Sequence, residues 1–348
     1  QQDEIIERRY GVILVATGFD SMDLTGYGEY GYGQHPDVLS ALQFERLFNA
    51  SGPTAGQVVR LSNGRPPQRV VFIQCVGSRD IARGQNYCSK ICCMFTSKQA
   101  ILLKEKLPET EAYIFYIDLR TAGKGYEEFQ RRAAEEYGVI YLRGSVGKVF
   151  PEGERLLVRG VDSLSGRPLE IEADLVVLAA ASVPRRDAPE LARLMSINSD
   201  RYNFFDEAHP KLRPVETHTA GIFIAGACQA PKDIPEAVAQ AGAAAAKAVT
   251  LLSKEKLQSE ACVAKVDPAR CSGCLHCEAV CPYGAIAATE TEERVRGELL
   301  TRTVAEVNPA LCQGCGCCTM TCRSGSVTLQ GYTDEQMLAE VDALCLQR

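Results

Sequence analysis

The sequence has no run of eighteen apolar residues, so no segment reads as a membrane-spanning helix. It has no block of basic residues, and its net charge is −6. That balance argues against nucleic acid or an anionic membrane as the main partner. The first stretch, Gln1–Arg9, is polar and charged and lacks the apolar core of a secretory signal. An initiator Met is also missing, which gives the expectation of a processed chain or a fragment. With 348 residues, 46% of them hydrophobic and 24% charged, the chain can bury two or three ordinary globular cores.

Cysteine is what the chain has in excess, at sixteen residues. Extracellular disulfides would explain such a number, but most of these cysteines fall in three tight clusters, two with the spacing of iron–sulfur ligands. A reducing cytoplasm is the expected setting.

The pattern along the chain alternates between strands and helices. Residues 11–17 read as a buried parallel strand ended by Gly18, residues 22–34 as a Gly/Tyr-rich loop, and residues 38–49 as a helix. Strands are expected at Val70–Gln74, Ala112–Asp118, Val139–Leu142 and Asp174–Ala180, with helices at Ser89–Lys106 and Tyr126–Tyr137. Short strands near Lys148–Phe150, Arg155–Arg159 and Leu169–Glu172 read as a meander. This order implies a doubly wound α/β domain over 69–182. Gly221–Ala225 reads as one more buried strand. Asp233 is placed to cap a helix reaching Leu252, with Pro235 in its first turn. A polar linker, 253–260, precedes a ferredoxin-like module at 261–331, and Thr333–Leu346 reads as an amphipathic helix.

In that module Cys271, Cys274, Cys277 and Cys281 form C-x2-C-x2-C-x3-C, and Cys312, Cys315, Cys318 and Cys322 repeat it. Three thiolates on one tight loop wrap three irons of a cube, and the fourth of each run reaches the other cluster. Cys271, Cys274, Cys277 and Cys322 are therefore assigned to one [4Fe–4S] cluster, and Cys312, Cys315, Cys318 and Cys281 to the other. Gly273, Gly314 and Gly316 leave room for backbone N–H groups near sulfur. A zinc-knuckle pair or a disulfide knot is the competing reading. Cys317, beside Cys318, leaves a one-residue shift of register open, and Arg323 stands where Pro is usual. His276 lies in the first loop as a candidate tuning residue; His35, His209 and His218 read as surface or loop residues.

Cys75, Cys88, Cys92 and Cys93 form C-x12-C-x3-C-C. By spacing alone they are metal ligands or buried thiols. Their position adds to this. Cys75 falls where a dinucleotide-binding strand would enter its glycine loop, and here that loop reads Cys75-Val-Gly-Ser-Arg. The domain is expected to have lost nicotinamide binding. Val12–Gly18 and Gly221–Ala227 resemble the closing strands of a flavin domain. The N-terminus of the helix after Asp233 could stabilise negative charge on a reduced flavin, and the Ala/Gly-rich run 239–248 would allow close packing under a cofactor. An ordinary α/β core is the alternative.

Several strings carry a wider resemblance: F-I-Q-C-V-G-S-R-D at 72–80, Y-C-S-K-I-C-C at 87–93, and A-G-A-C-Q-A-P-K-D-I-P-E-A-V-A-Q-A at 225–241. With the ferredoxin repeat and the Y-T-D-E-Q beginning at Tyr332, the chain resembles the HdrA family of heterodisulfide reductases, within the thioredoxin-reductase-like flavoproteins. The resemblance implies FAD, contacted by Thr17, Gly18, Gly226, Ala227, Cys228, Asp233 and Ile234, and shared with a missing N-terminal half. It implies a third [4Fe–4S] cluster on Cys75, Cys88, Cys92 and Cys93. It also implies flavin-based electron bifurcation, with one electron sent uphill to ferredoxin and one downhill. Lys98 and Glu45, the latter within F-E-R-L-F-N-A-S-G-P-T, are then expected near the isoalloxazine ring. Cys228 stands where an Asp often follows A-G-x in the wider group, and is read as lineage. Residues 1–68 and 183–253 become two segments of a partial FAD domain around a nicotinamide-domain-like 69–182, with 332–348 as a helical tail. Implied partners are other heterodisulfide-reductase-like subunits, a hydrogenase- or formate-dehydrogenase-type donor module, and ferredoxin, in an oligomeric complex. The alternative is a non-catalytic electron-transfer or docking subunit in which only the clusters work.

Overall fold

The structure is a computed structural model and describes residues 7–83, 85–254, 262–295, 298–309 and 311–346. Most of the expected linker 253–260 lies outside the described residues. The chain begins β1 (Ile13–Val15), β2 (Phe19–Ser21), β3 (Val38–Ser40), α1 (Ala41–Leu47), β4 (Arg69–Val76) and α2 (Cys92–Lys106). It continues β5 (Glu111–Tyr116), α3 (Tyr126–Glu135), β6 (Ile140–Glu152), β7 (Arg155–Asp162), β8 (Arg167–Ala173), β9 (Leu175–Ala180) and β10 (Ser182–Pro184). Then come α4 (Ala188–Met195), β11 (Ile222–Ile224), α5 (Ile234–Leu252), β12 (Ala264–Val266) and α6 (His276–Ala279). The last elements are β13 (Ile286–Val295), β14 (Glu298–Val307), α7 (Cys317–Thr321), β15 (Val327–Leu329) and α8 (Asp334–Leu346). Two compact units result, one of 17–186 with 226–237, the other of 1–16, 187–225 and 238–348.

The first unit is built on a seven-stranded sheet in the order β3-β9-β4-β5-β6-β7-β8. Its pairs are parallel from β3 to β6 and antiparallel from β6 to β8. Alternation along the central strands divides the core, because successive side chains leave opposite faces. Val70 and Phe72 of β4 and Leu175 and Val177 of β9 meet α1, α2 and α3 through Phe44, Leu47, Ala100, Leu103 and Ala133. Val71, Ile73, Val176 and Leu178 face Leu24 and Tyr27 of the Tyr-rich loop and Val146, Val149 and Val158 of the meander. Gly77 has φ 84°, and a Cβ there would collide with the Met22 sulfur, so this loop closes tightly on the end of β4.

A buried charge network holds the sheet's other end. Arg60 pairs with Asp37 and Asp174, both at 3.2 Å. Asp174 also accepts from the backbone N–H groups of Gln68 at 2.7 Å and Arg69 at 3.0 Å, so it satisfies the entry of β4 as well.

Several local expectations are corrected. The helix expected over 38–49 begins only at Ala41, because Ser40 accepts from Gln43 N–H and Gln43 returns a bond to Ser40 N–H. That capping box leaves Val38–Ser40 extended and paired with β9. Residues 38–47 are thereby tied to the seven-stranded sheet. The separate strands expected at 139–142 and 148–150 are one continuous β6.

In the second unit β1 pairs in parallel with β11. The strand expected over 11–17 shortens to three residues, and it is not buried throughout: Ile13 is 47% and Leu14 49% exposed. The long helix α5 starts where Asp233 predicts, with Asp233 accepting from Glu236 N–H at 2.9 Å. Of the 239–248 run, only Ala244 and Ala248 are buried. The ferredoxin-like module packs β12 on β15 and a long β13–β14 hairpin around Val304, Ala305, Val327 and the cysteines. The tail helix α8 forms and buries none of its residues.

Candidate functional site

None of the sixteen cysteines is in a disulfide. In the C-terminal module, one small cavity is lined by Cys281 from the first run and by Cys312, Cys315, Cys317 and Cys318 from the second. Cys281 of the first run thus lies with thiols of the second run. The other set lies around the first loop: Cys271 and Cys277 are buried, and the Cys274 thiol senses the charge of Cys322. Of the adjacent pair, Cys318 is buried and Cys317 exposed. Glycine is required here, since a Cβ on Gly273 would sit 2.5 Å from the Thr303 oxygen and one on Gly314 would overlap the Cys262 oxygen. Both have positive φ.

The thiols do not share one environment. Burial pushes Cys322 up, but hydrogen bonds from the Ser324 and Ser326 hydroxyls and from backbone N–H groups outweigh it and bring it down to about 6. Burial pushes Cys318 up to about 11, helped by the charge of Cys312. The backbone N–H of His276 and the Ser272 hydroxyl lower Cys274. His276 thus contributes through its main chain at the first residue of α6. Among the described residues no three His, Cys, Asp or Glu side chains close on a single point as one ion would require. The thiols of Cys281 and the second run line one cavity, and backbone N–H groups donate to two of them, Ala264 to Cys312 at 3.4 Å and Ala285 to Cys281 at 3.3 Å, a donor set of the kind iron–sulfur clusters take.

The middle cysteines are gathered from three elements. Cys75, the last residue but one of β4, is in a left-handed conformation, φ 60°. Cys88 lies in the following loop, and Cys92 and Cys93 open α2, where the helix dipole favours thiolate. Cys92 contacts both Cys75 and Cys93, which with burial raises its own thiol well above the usual range. The same contacts lower Cys75 and bring Cys93 to about 7. Around them, Lys90 N–H donates to Cys88 sulfur at 3.2 Å and Arg120 N–H to Cys93 sulfur at 3.4 Å. Cys93 lies 3.4 Å from the Gln74 side-chain oxygen. Arg120 and Gln74 were invisible to spacing arguments; only the strand pairing brings them here.

Beside Cys88 opens a mostly apolar cavity of about 800 Å3. Its wall includes Phe19, Lys90, Ile91, Met94, Phe95, Arg120 and the Ala230–Pro235 turn. Asp233 and Ile234 thus share a cavity wall with Cys88. Thr17, Gly18, Gly226, Ala227 and Cys228 lie outside that lining. Gly18 and Gly226 hold positive φ, and Cys228 is buried in a short turn. Lys90 forms an ion pair with Glu236, the capping-box partner of Asp233. The wall combines the rings of Phe19, Phe95 and Tyr126 with the first turn of α5.

Lys98 and Glu45 are brought together as an ion pair on α2 and α1. Gln99 donates to the second Glu45 oxygen at 3.0 Å. Burial raises the Glu45 carboxyl, but its bonds from Lys98 and Gln99 leave it below the usual range. Glu45 and Gln99 line a second cavity of about 480 Å3 that shares Phe19, Ile91 and Phe95 with the first.

Comparison with known proteins agrees with the chemistry of the thiols. A family model for a 4Fe-4S dicluster domain matches residues 270–326. The second of two HdrA-type CoB–CoM heterodisulfide reductase iron-sulfur subunits of Methanopyrus kandleri is 48% identical over 297 residues, 85% of this chain and 45% of that protein. The HdrA-type subunit of the H(2)/formate:CoB-CoM heterodisulfide,ferredoxin reductase of Methanococcus maripaludis is 45% identical, over 99% of this chain and 51% of that protein. A thioredoxin reductase from T. acidophilum superposes on 70% of this chain and 66% of its own at TM-score 0.45 and 15% identity. No helix among the described residues is long and apolar enough to cross a membrane. The chain spans about half the length of the curated relatives it matches. By its identity to them along nearly its whole length, it belongs to the HdrA family of heterodisulfide reductase iron-sulfur subunits.

Proposed function

We propose that this chain forms the electron-routing half of an iron–sulfur flavoprotein component in a cytoplasmic heterodisulfide-reductase-type complex. The observation that carries the reading is the gathering of Cys75, Cys88, Cys92 and Cys93 beside the cavity that Asp233 and Ile234 line. A one-electron centre there would stand next to a flavin. Cys271, Cys274, Cys277 and Cys322 would hold one [4Fe–4S] cluster, Cys312, Cys315, Cys318 and Cys281 a second, and the middle four a third. When bound, FAD supplies the exchange between electron pairs and single electrons, and the clusters carry the single electrons.

The chain's residues supply the surroundings. Phe19, Ile91 and Phe95 would give the cavity an apolar wall, and the α5 N-terminus, with Asp233 and Ile234, would offer dipole stabilisation to negative charge. Thr17, Gly18, Gly226, Ala227 and Cys228 would shape the approach of FAD. Lys98 and Glu45 form a charge pair able to stabilise electron density and relay a proton at the ring. The parts of 1–68 and 183–253 outside residues 38–47 would be segments of the flavin domain around 69–182, followed by the ferredoxin module and the tail.

Bifurcation fits this layout, because ferredoxin and a disulfide-type acceptor need separate exits. Electrons would come from a hydrogenase- or formate-dehydrogenase-type module, since the name of the M. maripaludis relative gives H(2) or formate as that protein's donors. Isolation of the native complex under anaerobic conditions, with flavin and partner subunits counted per chain, tests the reading. One FAD per chain with such a donor module supports it; clusters without flavin would leave only an electron-transfer role.

A further inference from the structure

The middle cysteines are surrounded by charges that are not evenly matched. Arg120 follows β5 and touches the group twice. Its backbone N–H donates to Cys93 sulfur at 3.4 Å, and its guanidinium reaches Cys88, with which it shares the cavity wall. One carboxylate oxygen, Asp118 Oδ1, is 3.4 Å from Arg120 Nε and is also taken by Arg79. Two guanidiniums thus share one carboxylate beside four thiols, leaving about one unbalanced positive charge. Lys90, a further cation beside Cys88, has its own carboxylate partner in Glu236, and Arg83 pairs with Glu29.

We propose that Arg120 is a positioning residue that sets the reduction potential of the centre held by Cys75, Cys88, Cys92 and Cys93. This rests on the reading that those four thiolates hold a [4Fe–4S] cluster. A one-electron reduction adds negative charge that spreads onto the sulfurs. A cation and N–H donors next to them stabilise the reduced state and raise the potential. Arg120 is solvated on its outer side, since its side chain is 46% exposed. The effect is therefore screened and should be moderate.

The test uses the whole anaerobically purified complex, reduced stepwise with dithionite and followed by EPR, with iron counted in each variant. In Arg120→Gln the third centre is expected to keep its iron and to become harder to reduce. The one-electron equilibrium constant should fall about threefold to tenfold, the upper end being about 59 mV. Arg120→Lys should recover most of the shift, and Lys90→Met should move the centre less. Asp118→Asn, which leaves both guanidiniums unmatched, should shift it in the positive direction. The signals of the two ferredoxin-type clusters should not move in any of them. An unchanged midpoint in Arg120→Gln, or equal shifts in all three centres, overturns the proposal. Should Arg120→Gln lose the centre, Asp118→Asn decides, and the absence of a positive shift overturns it. A wild-type count near eight irons with no third signal would instead remove the underlying cluster, and the proposal with it.

Discussion

The two cysteine regions differ in what holds them together. In the C-terminal module each run of thiols lies on one short loop, and local features complete the cradle: left-handed glycines, the Ser324 and Ser326 hydroxyls, and nearby N–H groups. In the sheet domain the thiols come from a strand end, a loop and a helix start, and their neighbours Gln74 and Arg120 come from β4 and from the loop after β5. The first cradle is a property of the loop; the second is a property of the sheet. Damage to the sheet core should therefore empty the second and spare the first.

The largest expected effect follows from that. Phe72 is fully buried between β4 and the helices, next to Phe44. Phe72→Ala should cost about 3–5 kcal/mol. It should release the iron of the middle site while the ferredoxin-type EPR signals persist. Simultaneous loss of all signals on mild heating would erase the distinction.

Within the ferredoxin-like module the contrast can be sharpened by one residue. Cys318 faces the interior and Cys317 faces solvent. Cys318→Ser should lose about four irons, and Cys317→Ser none. Iron analysis with the reverse outcome would place the register on Cys317.

Much of this was legible in the sequence, unevenly. The 4Fe-4S dicluster module could be read because the cysteine spacing of such loops is fixed by covalent chain geometry. Asp233 as the cap of α5 could be read because its partner Glu236 is three residues away. Strand β3 could not: Leu39 fits a helical period with Leu42, and only pairing with β9, more than a hundred residues later, reveals it. The Arg60–Asp37–Asp174 network and Arg120 were hidden for the same reason. Charged residues on loops look solvated until the sheet brings their partners.

Smaller effects belong to the Lys98–Glu45 pair, whose side chains are 48% and 35% exposed. Lys98→Ala should shift the flavin potentials of the assembled complex, by about 0.2–1 kcal/mol given the solvent around the pair, and leave iron unchanged. Redox titration with the same flavin midpoints in both proteins would place Lys98 on the surface. The pair also carries a pH signature. The Glu45 carboxyl is lowered in the folded chain, so its stabilisation is present above the unfolded value of about 4.3 and is lost as pH falls through the folded value. Glu45→Gln should therefore lower the unfolding midpoint slightly at pH 7, by less as pH approaches 4. A difference that grows toward low pH would contradict this.

The central claim is that the sheet domain holds a metal centre of its own beside the flavin cavity. Iron content, combined with EPR of the reduced, anaerobically prepared complex, tests it in wild type and Cys92→Ser. Three clusters require about twelve irons in wild type and about eight in the variant, with one EPR signal lost and two retained. About eight irons in both proteins, with identical spectra, would contradict it.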